Sequence, residues 1–291
     1  MRPLRWLLAV ALAAGLAGPA AADNKKLLLV TDSGGFIHDS VGLAEQILKD
    51  IGPKHGIDVT CYRYTRDPKS PAFEKYAEAF RKTTGIPVEP ESCGRVNAET
   101  LKKFDAVLFF TTGNPLNNDE VKDLVEWVKA GGALAGTHCG SDTLYPAKDR
   151  PMNAAFGELM GAYFDGHPWH QKIRVANEDP KHPAGKGFKD GDEITDEIYQ
   201  FRPEPYSRNK LHIILSVENG SIDVTKGKRA DKDYAIAWCQ EVEKGRCFYT
   251  SLGHRKDVWK DPRYQEHLIG GLRWALKLEQ GDATPSAKVK K

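Results

Sequence analysis

Three short segments of this chain are apolar at almost every position: Lys26–Thr31 (KLLLVT), Phe104–Phe110 (FDAVLFF) and Ala133–Thr137 (ALAGT). A strand with one wet face alternates apolar and polar residues, whereas a strand apolar throughout has to be covered on both faces. A parallel sheet between two helical layers meets that demand, and the intervening segments supply the helices. Ser40–Lys54 is amphipathic and is closed by Gly56. Asn118–Ala130 sets Val121, Leu124, Val125 and Val128 on one face before Gly131-Gly132 stops it. Ile57–Tyr64 reads as a further strand.

After residue 160 the pattern turns β-rich. Strands are expected at Ile173–Ala176, Ile194–Phe201, His212–Val217, Ala235–Glu241 and Arg246–Thr250, the last two as a hairpin around Glu243-Lys244-Gly245. Pro262–Leu278 is a closing helix. The expected fold class is α/β: a mostly parallel sheet, helices on both faces and a β-rich C-terminal half, in one domain over residues 23–278. Residues 66–97 carry Pro68, Pro71, Pro87 and Pro90 and read as an insertion with one helix at Phe73–Arg81. Residues 279–291 show no packing pattern and read as a disordered basic tail.

Residues 1–22 have the form of an export signal: basic Met1–Arg5, apolar Trp6–Leu16, then Ala20-Ala21-Ala22 before Asp23. The apolar stretch is short of the about 20 residues that span a bilayer. The expected location is periplasmic or secreted, with no membrane partner after cleavage. Of the 5 cysteines, Cys239 and Cys247 could pair across the hairpin and Cys61 with Cys93 across the insertion, leaving Cys139. Equally, all could be free, because the core is large enough without staples. Lys and Arg total 42 against 40 Asp and Glu, and Arg2 and Arg5 account for the excess. A balanced chain lacks the basic stripe of a nucleic-acid binder.

Candidate chemistry lies with the histidines. His38 follows the first strand's Gly34-Gly35 loop, His138 ends the Ala133–Thr137 strand, and His254 follows the last strand. Ligands of open α/β sheets bind at strand carboxyl ends. Imidazoles gathered there suit a divalent ion such as zinc, or proton transfer near neutral pH. The expected metal set is His38, His138 and His254, with His167 or His170 able to replace one. Asp196-Glu197-Ile198-Tyr199 adds two carboxylates and a phenol, and on a strand Glu197 and Tyr199 share a face. Glu197, Asp196, Tyr199 and His167 are the catalytic candidates. Phe36, Trp169 and Trp259 could stack against a sugar ring, with His170 and His182 as further substrate contacts. His55, His212 and His267 are assigned to surface or packing. Gly136-x-His138-x-Gly140 has the form of a nucleophile elbow with His in the middle place and Cys139 one residue late. Asp32-Ser33-Gly34-Gly35 lacks the spacing of a phosphate loop, so no nucleotide is expected.

Together these motifs resemble the ThuA-like trehalose-utilisation family. The resemblance rests on Gly35-Phe36-Ile37-His38-Asp39-Ser40, on Gly131 to His138, on Gly161 to Pro168 and on His182-Pro183. Asp196 to Tyr199, Gly245 to His254 and Gly271 to Ala275 complete it, and it covers about residues 26–276. It implies a class I glutamine amidotransferase-like fold, a flavodoxin-like sandwich. In amidotransferases of that fold the elbow holds Cys and a His follows the last catalytic strand. Here His138 takes the elbow place and His254 corresponds to the later His, so the thiol nucleophile is missing. The family name reflects disaccharide breakdown, including routes through 3-keto sugars. The expected function is therefore an exported enzyme performing metal-assisted hydrolysis or elimination on a 3-keto glycoside or disaccharide. Two alternatives remain: a carbohydrate-binding or partner-docking module without chemistry, and a cysteine hydrolase acting through Cys139.

Overall fold

A computed structural model describes residues 23–150 and 152–288. The stretch read as an export signal and residues 289–291 lie outside the described residues. In chain order the elements are β1 (Lys25–Val30), α1 (Val41–Ile51), β2 (Ile57–Tyr62), α2 (Phe73–Thr84), α3 (Ala98–Leu101) and β3 (Ala106–Phe109). Then come α4 (Asn118–Lys129), β4 (Ala133–Thr137), α5 (Met152–Met160), β5 (Trp169–Asn177), β6 (Glu193–Ile198) and β7 (His212–Val217). The chain continues with β8 (Ala235–Val242), β9 (Gly245–Thr250), α6 (Lys256–Lys260) and α7 (Pro262–Ala275).

All strands join one nine-stranded sheet in the order β2-β1-β3-β4-β9-β8-β7-β5-β6. The pairings from β2 to β9 are parallel. Those from β9 to β6 are antiparallel. The sheet is thus half parallel and half antiparallel, which corrects the expectation of a mostly parallel one. The hairpin β8–β9 makes the change, because β9 is antiparallel to β8 but lies parallel to β4. β4 and β9 therefore end at the same rim.

Side-chain alternation sorts the core into two clusters. Leu27 and Leu29 pack with Val41, Leu48 and Leu272 in one. Leu28 and Val30 pack with Val121, Leu124 and Phe156 in the other. Asn117 caps α4 by accepting from Glu120 N, while the Glu120 carboxylate accepts from Asn117 N, a full capping box.

All five cysteines are free. The hairpin register sets Gln240, not Cys239, opposite Cys247. Cys239 and Cys247 therefore enter different core clusters. The expected loose tail is docked as far as Ala287. Trp274 Nε1 donates to Gly281 O, Ser286 N to Leu211 O and Ala287 N to Arg208 O. Ile213 N in turn donates to Ser286 Oγ at 2.7 Å. β5 pairs with β7 only at its far end, Leu215–Val217, which leaves Leu211–Ile213 free to take this segment.

Candidate metal centre

His138 stands directly after β4 with φ +45, a left-handed conformation in which a residue other than glycine is strained. Two contacts hold it, and a third supports one of them. Tyr249 Oη donates to its carbonyl at 2.6 Å, and Tyr249 Oη also pairs with Ser141 Oγ at 2.8 Å. His138 Nδ1 lies 3.0 Å from Ser251 O. A carbonyl can only accept, so Nδ1 carries the proton and Nε2 presents a lone pair to the cleft.

Around that nitrogen gather groups from three distant segments. His38 Nε2 is 3.2 Å away, His254 Nδ1 3.2 Å and Tyr199 Oη 3.0 Å. Glu197 Oε2 lies 3.5 Å from His138 Nε2 and 3.4 Å from His254 Nδ1. One ring nitrogen can satisfy one hydrogen bond, not four. Ligands about 2.0–2.1 Å from a tetrahedral ion stand roughly 3.3–3.4 Å apart, close to the spacings found here. The donor atoms of His38, His138, Glu197 and His254 all lie within 4.8 Å of one another, and the group could hold a metal ion. Three imidazoles with one carboxylate suit zinc or another borderline divalent ion.

The electrostatics keep these donors available. Burial lowers the His38 pKa to about 2, helped by the neighbouring His138 and His254. Burial lowers that of His254 too, again with His138 adding. Both rings are neutral near pH 7 and keep a free lone pair. Burial alone would raise the Glu197 carboxyl, but the surrounding imidazoles of His138, His254 and His167 outweigh it and hold it at about 2.

Local structure explains why each side chain arrives. Gly253 adopts φ +116, and a Cβ there would meet Tyr264 Oη at 2.7 Å and Thr137 Oγ1 at 3.0 Å. Glycine is thus required to turn the chain after β9 toward the cleft. Asp196 fixes the same turn, accepting from Gly253 N at 2.7 Å and Arg255 N at 3.1 Å. Its carboxylate is consumed there, and burial raises its pKa. Asp196 is a positioning residue, which corrects its place among the proton-moving candidates. Glu197, one residue on, points to the opposite face. Its other oxygen lies 3.4 Å from His167 Nδ1. Tyr199 shares the Glu197 face, as expected; it is buried, and burial raises its phenol well above the usual value.

The predicted substrate contacts divide. Phe36 is 68% exposed and meets His38 edge-on with ring centroids 4.9 Å apart. Its loop is clamped by Thr112, whose Oγ1 donates to Phe36 O at 2.9 Å. His170 pairs opposite Glu197 across β5–β6, and its ring stands 5.3 Å from His254. β5 begins at Trp169, earlier than expected, so alternation sends Trp169 to the core, where Nε1 donates to Asp223 O. Trp259 is likewise buried: it stacks on Phe110, 5.6 Å away, and forms part of the floor behind His38. His182 is buried elsewhere, its Nδ1 accepting from Ala184 N and its Nε2 3.6 Å from Cys239 Sγ. These three are core residues, a correction whose cause in each case is full burial. Cys139 is also sealed inside, and burial raises its thiol well above the usual value, the reverse of what a nucleophile needs.

The cleft opens into a depression of about 470 Å³ bounded by His254, His170, Asp39, Lys256 and Lys260. A larger cavity, about 670 Å³, lies against residues 66–95 between Phe73, Val88 and Pro90 and is lined by no histidine. Sequence reasoning missed Glu197 as a fourth donor beside the imidazoles. Its strand position was readable, but the fold of β6 against the turn after β9 was not.

Comparison with known proteins bears on this site. A family model described as ThuA, trehalose utilisation, matches residues 26–275. The crystal structure of a ThuA-like protein from Bacteroides uniformis ATCC 8492 superposes with a TM-score of 0.60 at 20% identity, covering 94% of this chain and 99% of that one. A ThuA-like protein from Parabacteroides merdae ATCC 43184 gives 0.62 at 15% identity, covering 89% and 92%. At such identities the likeness shows the fold alone. No curated protein matches the sequence.

Proposed function

The chain belongs to the ThuA trehalose-utilisation family, and from that premise we propose that it is an exported enzyme that cleaves an oxidised glycoside at a divalent-metal centre. One observation carries the reading: four donor side chains, from residues 38, 138, 197 and 254, converge within 4.8 Å. The parallel strand order β2-β1-β3-β4-β9 supports a flavodoxin-like core, whose ligands sit at the carboxyl rim. Export rests on the basic, apolar and small-residue pattern of residues 1–22.

His38, His138, His254 and Glu197 would hold the ion. When bound, a divalent ion supplies Lewis-acid polarisation of a keto or hydroxyl oxygen. In a 3-keto glycoside the ketone acidifies the hydrogen on C2. Half-exposed His167 stands at the open side of the group, its Nδ1 3.4 Å from Glu197, and is placed to accept that proton. The electron pair left on C2 then expels the glycosidic oxygen from C1 as a C1–C2 double bond forms, and that oxygen leaves with a proton. Addition of water across the new double bond would complete a net hydrolysis. Tyr199 orients the sugar from the buried side, and exposed Phe36 offers its face to the ring.

The test is metal analysis of the purified protein together with turnover of 3-keto glycosides. We expect near-stoichiometric divalent metal, with both metal and turnover lost in His254→Ala and in His138→Asn. Asparagine tolerates the left-handed backbone at position 138. Metal-free protein whose turnover survives both substitutions would overturn the proposal. The non-catalytic alternative predicts sugar binding without product and no effect of chelators.

A further inference from the structure

We propose that the cavity against residues 66–95 binds a small amphipathic monocarboxylate, one carboxylate carried on an apolar body. This goes beyond the sugar-processing reading and does not rest on it, because the cavity shares no residue with the four-donor group.

The segment read as an insertion builds the apolar part. Residues 92–94 run beside the continuation of β2, with Arg63 N donating to Ser92 O and Gly94 N to Tyr64 O. α2 packs on the same continuation: Phe73 meets Tyr64 edge-on with ring centroids 5.0 Å apart, and Tyr76 lies 5.1 Å from it. Tyr64 is buried, whereas Phe73 and Val88 stay partly exposed. With Pro68 and Pro90 they face a space of about 670 Å³, within the range of small-ligand sites.

Arg66, Lys69 and Arg95 line the same space. Arg66 gives Nε and Nη2 to Asp32, and Arg95 gives Nε to Glu120. Both carboxylates are buried and also accept backbone N–H groups, from Thr65 and Asn117, so their oxygens are spent inside the protein. Among the described residues Nη1 of Arg66 and both Nη atoms of Arg95 make no hydrogen bond, and Lys69 makes no ion pair. The Arg66 guanidinium is also held over the Tyr64 ring, 4.7 Å from its centroid. A donor fixed in advance loses little freedom on binding. Asp67 is the one acid among the lining residues, and its Oδ1 already accepts from Lys69 N at 2.9 Å. Free donors thus outnumber free acceptors, which suits a carboxylate. A sugar fits poorly, since its hydroxyls would lie against the apolar wall without partners.

Calorimetric titration of the full chain with octanoate and with octan-1-ol tests this. Octanoate is expected to bind roughly tenfold more tightly, as charge-assisted hydrogen bonds require. Lys69→Glu should abolish that preference while octan-1-ol binds as before. Lys69 is exposed, and circular dichroism checks that the variant keeps its fold. Cys93 reports the place of binding: it lines the cavity and is the one cysteine of the five that is not buried. Octanoate at a concentration roughly ten times its Kd should slow iodoacetamide alkylation of Cys93 about tenfold by mass action, read by mass spectrometry. Both effects should persist in His254→Ala, so failure of the metal-centre reading leaves this one standing. No octanoate binding at millimolar concentration, equal affinity for the two ligands, or a preference that survives Lys69→Glu overturns the proposal. Octanoate that binds without protecting Cys93, as it would at the metal centre, overturns it too.

Discussion

The backbone of Ala184 is held by two buried imidazoles, and acid should destabilise the fold through both. His182 Nδ1 accepts from Ala184 N at 3.1 Å, while His267 Nδ1 donates to Ala184 O at 2.5 Å. Both rings are sealed, and His267 Nε2 has no partner. Burial lowers the His267 pKa to about 4 against the opposing hydrogen bond. Burial, followed by the nearby His212, lowers that of His182 to about 3. In the unfolded chain each titrates near 6.5. A folded pKa below the unfolded one gives stability that is complete above pH 6.5. It is lost as pH falls from 6.5 toward 4 for His267 and toward 3 for His182. Between pH 7.5 and 5.0 the unfolded state gains about 1.5 pH units of protonation free energy per ring, so each contributes a loss of about 2 kcal/mol and the pair about 4. Urea unfolding at the two pH values measures this. Asparagine at either position keeps the amide partner but does not titrate. His182→Asn and His267→Asn are each expected to be less stable at pH 7.5, yet to lose about 2 kcal/mol less than wild type on acidification. If wild type and both variants lose equal stability, the rings are not held neutral and the reasoning fails.

Glu197→Gln keeps the shape but removes the charge that balances the ion. It should weaken metal binding by more than the roughly 10–100-fold that follows loss of an outer-shell partner, measured by competition with a chromophoric chelator. Ending the chain after Leu278 removes the bonds to Arg208, Leu211, His212 and Ile213. Several polar groups in the sheet lose partners worth about 1 kcal/mol each, so a drop of at least about 2 kcal/mol in unfolding free energy is expected, with metal affinity retained.

The local part of this protein was written in its sequence. Apolar runs at Lys26–Thr31 and Ala133–Thr137 specified doubly covered strands because no other surface tolerates them. The capped periodicity of Asn118–Lys129 specified α4 because a 3.6-residue repeat buries one face. Placement of His38, His138 and His254 after strands followed from the same patterns. Sequence could not decide how far β5 extends, and with it the fate of neighbouring residues. One step of alternation puts His170 beside the cleft and Trp169 in the core. Nor could it separate Asp196 from Glu197, since two adjacent carboxylates look alike until tertiary contacts give one to the Gly253 turn and the other to the imidazoles. The half-antiparallel sheet and the docked tail depend on which edge is left unpaired, a property of the assembled sheet. Donor atoms 216 residues apart in the chain, from His38 to His254, meet only because parallel strands end at a common rim. Hydrophobic pattern fixes the elements, but the approach of their ends to within a few ångströms is settled by packing across the whole molecule.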